Sequence, residues 1–68
     1  MENAGLFITK KHGETTIMIC MDADSWEVYY KKPGYPFIFA FGVPSDHLPD
    51  DVFEMAIANM DDYSDLFD

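Results

Sequence analysis

From Leu6 to Phe41 the apolar positions recur with a period of two, and beyond Pro49 they recur with a period near 3.6. The first pattern predicts four strands. Leu6–Lys10 (LFITK) is short and apolar. Thr15–Met21 (TTIMICM) places Ile17, Ile19 and Met21 on one face. Trp26–Lys32 (WEVYYKK) sets Trp26, Val28 and Tyr30 against Glu27, Tyr29 and Lys31. Phe37–Phe41 (FIFAF) puts Phe37, Phe39 and Phe41 on one side. The stretches between them read as turns: Lys11-His12-Gly13-Glu14, Asp22-Ala23-Asp24-Ser25, and Pro33-Gly34 with Pro36 close behind. Short connections join antiparallel neighbours, so the economical sheet is a four-stranded meander.

The second pattern predicts a helix from Pro49 to the C-terminus. Proline suits the first turn, and Asp50 and Asp51 suit its positive end. At about 100° per residue, Val52, Phe53, Ala56, Met60, Tyr63 and Phe67 gather on one side. Asp50, Asp51, Glu54, Asp61, Asp62, Asp65 and Asp68 fall on the opposite side, with Ile57, Ser64, Met55, Asn59 and Leu66 along the seams. The last turn either frays or forms a separate short helix after Asp61-Asp62. The expected fold is α+β: a four-stranded antiparallel meander with one amphipathic helix on one face (ββββα), a single domain over residues 1–68.

Charge sharpens this picture. The net charge is −9, yet 49% of residues are hydrophobic and 16% aromatic, too apolar for a disordered chain. Residues 1–40 hold five acids and four lysines, a balance of −1; residues 41–68 hold eight acids and no lysine or arginine, a balance of −8. A charge run is most often solvated surface. Solubility alone, however, favours mixed signs on a helix, because opposite charges at i,i+4 stabilise it. Asp50/Glu54 and Asp61/Asp65 are like-charge pairs at i,i+4, each costing about 0.2–0.5 kcal/mol. Asp61, Asp62, Asp65 and Asp68 also crowd the negative end of the helix dipole, bringing the total penalty to about 2–4 kcal/mol. Seven carboxylates spread over about 27 Å of helix give roughly one charge per 4 Å, near the phosphate spacing of about 3.4 Å along one DNA strand. Asp46, just ahead of the helix, and Asp22, Asp24 and Glu27, at the second turn, extend the patch if the topology brings their loops beside the helix.

Other chemistry is sparse. Cys20 is the only cysteine, which excludes an intramolecular disulfide and fits a reducing compartment; the expected role is a small sheet residue. The segment Asp22–Glu27 opens like a calcium loop, but its sixth and twelfth positions are Glu27 and Pro33, not glycine and glutamate. His12 and His47 share no metal-ligand spacing, and the glycines at 5, 13, 34 and 42 form no phosphate loop. Nothing here composes a catalytic site, and no cofactor or metal is expected. The aromatic rings of the third and fourth strands read as core, with Tyr29, Ile38 or Met18 on the sheet face away from the helix. The N-terminus lacks the pattern of a secretory signal, and no apolar run reaches membrane length, so the expected location is cytoplasmic.

In size, acidity, aromatic-rich sheet and acidic helix, the chain resembles the phage-encoded DNA-mimic proteins, most of all the small anti-CRISPR proteins. That resemblance implies inhibition by occupying a DNA-binding groove, without catalysis, in the host cell cytoplasm. It implies a Cas effector complex as partner, a type I Cascade complex ahead of a Cas9-type one. The expected partner is thus a basic nucleic-acid-binding protein, met by a monomer that binds neither nucleic acid nor membrane directly. The alternative is an immunity-like or antitoxin-like module that binds a basic protein through its sheet face. A third reading is a small domain whose acidity only keeps it soluble.

Overall fold

The computed structural model describes residues 7–67, so Leu6 and Asp68 lie outside the described residues. Four strands, β1 (Phe7–His12), β2 (Thr15–Asp22), β3 (Ser25–Lys31) and β4 (Ile38–Pro44), form one antiparallel sheet in the order β1-β2-β3-β4. Helix α1 (Pro49–Ala58) and a 3-10 segment (Met60–Phe67) follow. The ββββα architecture is therefore the one that the change of hydrophobic period predicts.

Two hairpins turn through two residues each. His12 pairs with Thr15 across Gly13-Glu14, and Asp22 pairs with Ser25 across Ala23-Asp24. Gly13 takes φ 66° at the first central position. Ala23 takes φ 54° at the equivalent position, where a Cβ is disfavoured by about 1–2 kcal/mol. Replacing Ala23 with glycine should therefore stabilise the fold by about 0.5–1 kcal/mol, after allowance for the added freedom of the unfolded chain. A higher urea midpoint at unchanged slope checks this. The third turn has Gly34 at φ 84° after Pro33, and the Tyr35 amide donates to the Lys32 carbonyl at 3.0 Å, as a type II turn requires.

The core lies between the sheet and the C-terminal layer. Ile17, Ile19, Trp26, Val28, Tyr30 and Val43 face inward from the sheet, and Val52, Phe53, Ala56 and Phe67 close over them. In β4 the simple alternation fails. Val28 pairs with Phe41 and Tyr29 with Phe39, so a bulge leaves Ala40 as an extra residue. Phe41 consequently joins the core side with Ile38, opposite Tyr30, while Phe39 turns to the open face and is 50% exposed. The expected grouping of Phe39 with Phe41, and of Ile38 with the outer face, is corrected by that single inserted residue. Tyr29 and Met18 do lie on the outer face.

Two side-chain hydrogen bonds set the course of α1. The Trp26 indole donates to the His47 carbonyl at 3.1 Å, just ahead of the helix. The Tyr30 hydroxyl donates to the Ala56 carbonyl at 2.6 Å, in its last turn. The two anchors hold the start and the last turn of α1 to residues four apart on β3, so α1 runs along the β2–β3 centre of the sheet. The helix then stops. Asn59 bonds the Met55 carbonyl through its amide at 3.0 Å and through its side chain at 2.8 Å, and the chain tightens into the 3-10 segment. That segment packs over the β3–β4 side: Tyr63 stacks on Phe41 with ring centres 5.2 Å apart, and Phe67 meets Tyr35 edge-on at 5.2 Å.

Burial pushes the Tyr30 phenol up to about 12, with smaller upward contributions from Tyr63 and Asp62. An acid that resists ionisation in the fold keeps its proton longer than it does in the unfolded chain. The fold therefore binds more protons between pH 10 and pH 12, and its stability, full below pH 10, falls as the pH rises toward 12. Phenolate absorbance followed alongside circular dichroism should show Tyr30 ionising late, together with the alkaline loss of structure. Replacing Tyr30 with phenylalanine should remove that late step.

Candidate functional site

Every charged residue that the C-terminal layer itself contributes to its exposed side is a carboxylate. Asp50, Asp51 and Glu54 project from α1, and Asp61, Asp62 and Asp65 from the 3-10 segment; all six are exposed. Below them Val52, Phe53 and Ala56 are buried, which leaves the acids no other side to occupy. Asp68, the seventh expected member, lies outside the described residues.

The break at Asn59 corrects two expectations. The acids do not form one straight row, because α1 ends at Ala58 and a tighter segment begins at Met60. Nor do Asp61 and Asp62 crowd the negative end of a long helix. They stand in the first turn of the 3-10 segment, where the local dipole favours negative charge. At three residues per turn Asp62 and Asp65 share a ridge, whereas Asp61 and Asp65 no longer face each other. The electrostatic strain is smaller than an unbroken helix would impose.

The loops enlarge the patch. The Ser45 amide donates to the Asp24 carbonyl at 3.2 Å, and Ser25 pairs with Pro44, so the β2–β3 turn lies against the β4–α1 connection. Asp22, Asp24, Asp46, Asp50 and Asp51 therefore gather at one end of the molecule, and all five are exposed. The sequence alone leaves this juxtaposition open. The four lysines stand at the other end, at the close of β1 (Lys10, Lys11) and of β3 (Lys31, Lys32), where α1 stops and Lys32 and Asp61 line one hollow. Two of them cap core aromatics: Lys10 Nζ lies 5.1 Å from the Phe53 ring centre and Lys32 Nζ lies 5.4 Å from that of Phe67. Among the described residues the one ion-pair contact is His47 Nε2 to Asp46 Oδ1, at 3.8 Å, effective only when the imidazole is protonated. The carboxylates are otherwise left to solvent.

Glu27, expected beside Asp22 and Asp24 at the second turn, does not belong to this surface. It sits on the open face of the sheet, where its Oε1 accepts from the Tyr29 hydroxyl at 2.9 Å and from the Cys20 thiol at 3.8 Å. Burial, with the Glu27 charge behind it, pushes the Cys20 thiol up, away from the thiolate a nucleophile needs. Cys20 is a sheet residue, half-buried beside Glu27. Among the described residues no group of three or more histidine, cysteine or carboxylate side chains is placed to hold a metal ion, and no helix is long and apolar enough to cross a membrane.

No protein-family model matches this chain, and no curated protein or solved structure shows significant similarity to it.

Proposed function

We propose that this chain is a non-catalytic inhibitor that presents DNA-like charge to the basic groove of a nucleic-acid-binding protein, as an anti-CRISPR protein does, with a type I Cascade complex as the target. One observation carries the reading. Nine described carboxylates (Asp22, Asp24, Asp46, Asp50, Asp51, Glu54, Asp61, Asp62 and Asp65) are exposed on the turns and the C-terminal layer, and no described lysine pairs with any of them. Surfaces that only confer solubility intersperse the two signs. A one-signed surface raises association rate and specificity toward the opposite sign, and suits a groove built for phosphates.

Capture on the immobilised chain from a bacterial lysate, read by mass spectrometry, tests the proposal. The expected catch is a DNA- or RNA-binding protein that elutes as salt is raised, because exposed charge pairs are screened within about 10 Å at 0.1 M salt. A catch that contains no nucleic-acid-binding protein, or one that resists salt, would contradict it. The alternative, an immunity-like module that holds a basic protein by its sheet face, is less well supported, since Lys11 and Lys31 stand on that face.

A further inference from the structure

The face of the sheet away from the C-terminal layer is open. It consists of three rows running across the strands. The middle row is Thr9, Met18, Tyr29 and Phe39; Tyr29 and Phe39 touch edge-on with ring centres 5.6 Å apart. On one side lies the row Lys11, Thr16 and Lys31. On the other lies Phe7, Cys20, Glu27 and Gly42. Phe7 is 65% exposed and Phe39 50%. An antiparallel sheet with one solvated face ordinarily turns polar residues outward, whereas Met18, Tyr29 and Phe39 of the middle row are apolar or aromatic.

We propose that this face packs against the same face of a second copy, about a two-fold axis that lies in the sheet plane and crosses the strands along the middle row. Charge decides between the two possible axes. A two-fold along the strands sets the lysine row over the lysine row and the row of Glu27 over itself, which leaves the lysines without an acid to meet. A two-fold across them reverses strand direction, so Lys31 of each copy meets Glu27 of the other, twice. Lys31 and Glu27 stand two residues either side of Tyr29, about 6.6 Å each way, so the spacing is matched by construction. Tyr29, Met18 and Phe39 then meet their own counterparts in a dry centre. Opposed sheets pack about 10 Å apart with strands within about 30°, which keeps the pairs near the axis in register.

The size of the face sets the strength. Four strands and their side chains span about 20 Å, and five to seven residues span about as much, for roughly 400 Å² per copy. About 800 Å² in total lies at the weak end of specific interfaces, so the dimer forms at high micromolar concentration and not at nanomolar. The charge pairs fix orientation more than they add affinity. This inference stands apart from the proposed function: the C-terminal layer is on the other side of the sheet, so both acidic surfaces remain open in the dimer.

Sedimentation of the full chain from about 10 μM to about 1 mM tests it. The parent should pass from monomer to dimer across that range. Lys31→Glu alone and Glu27→Lys alone should each weaken the dimer about ten-fold or more, since each sets like charges face to face. Mixed in equal amounts the two variants should dimerise again, because both cross-contacts become attractive. Thiol cross-linking then fixes the axis. With a short bis-maleimide, Thr16→Cys should cross-link to Cys20 of the second copy, whereas the parent, whose Cys20 faces Thr16, should not. Circular dichroism confirms that each variant is folded. A parent that stays monomeric at about 1 mM, a mixture that fails to recover, or efficient cross-linking through Cys20 alone would each overturn the proposal.

Discussion

Replacing Tyr30 with alanine should leave most of the chain unfolded at room temperature. Tyr30 is 2% exposed and joins three parts of the fold at once. Its ring lies against Phe41 of β4 and Tyr63 of the 3-10 segment, with centres 6.5 Å and 6.0 Å apart. Its hydroxyl holds the last turn of α1 through Ala56. Truncating a buried aromatic of this size costs about 3–5 kcal/mol. It also withdraws a donor from a carbonyl at a helix end, where backbone donors run out, for about 1–3 kcal/mol more. At about 0.05–0.15 kcal/mol per residue, 68 residues hold about 3–10 kcal/mol in all, so the loss consumes most of the margin. Tyr30→Phe keeps the packing and gives up only the hydroxyl, at about 1–2 kcal/mol. Far-ultraviolet circular dichroism and urea titration distinguish the two. An alanine variant with the parent's urea midpoint would show that the helix is not anchored through this side chain.

The second large effect concerns binding. Asp61, Asp62 and Asp65 converted together to asparagine should lower affinity for the basic target by on the order of 100-fold, at about 1 kcal/mol per charge. Stability should move little, within about 0.5 kcal/mol. Relief of the Asp62/Asp65 repulsion is offset by the loss of two charges that the first turn of the 3-10 segment welcomes. The separation matters, because lost binding with a retained fold cannot be ascribed to unfolding. Unchanged affinity in a folded triple variant would remove the 3-10 acids from the proposed interface.

Much of this was legible in the chain. The alternation through Ile17, Ile19, Trp26, Val28 and Tyr30 named the core face of the two central strands, because neither strand carries an irregularity before Tyr29. The 3.6-residue spacing of Val52, Phe53 and Ala56 named the buried side of α1. Periodicity failed where the backbone departs from a regular repeat. The residue inserted at Ala40 moved Phe39 across the sheet, and a run as uniformly apolar as Phe37–Phe41 holds no polar residue to betray the change of face. The stop at Asn59 escaped for a related reason: Asp61 and Asp62 sit as naturally at the start of a new segment as inside an old one. The gathering of Asp22 and Asp24 beside Asp46 depends on the hydrogen bond from Ser45, a contact across 21 residues that no local pattern encodes.

In the proposed function, the carboxylate-rich surface of the C-terminal layer and its neighbouring turns stands in for the phosphates of a nucleic acid. Titrating duplex DNA into the preformed complex of this chain with its captured target, at constant ionic strength, addresses that idea directly. Mutually exclusive binding is expected, with the chain released in proportion to the DNA bound. A ternary complex, in which target, duplex and chain remain together, would contradict it.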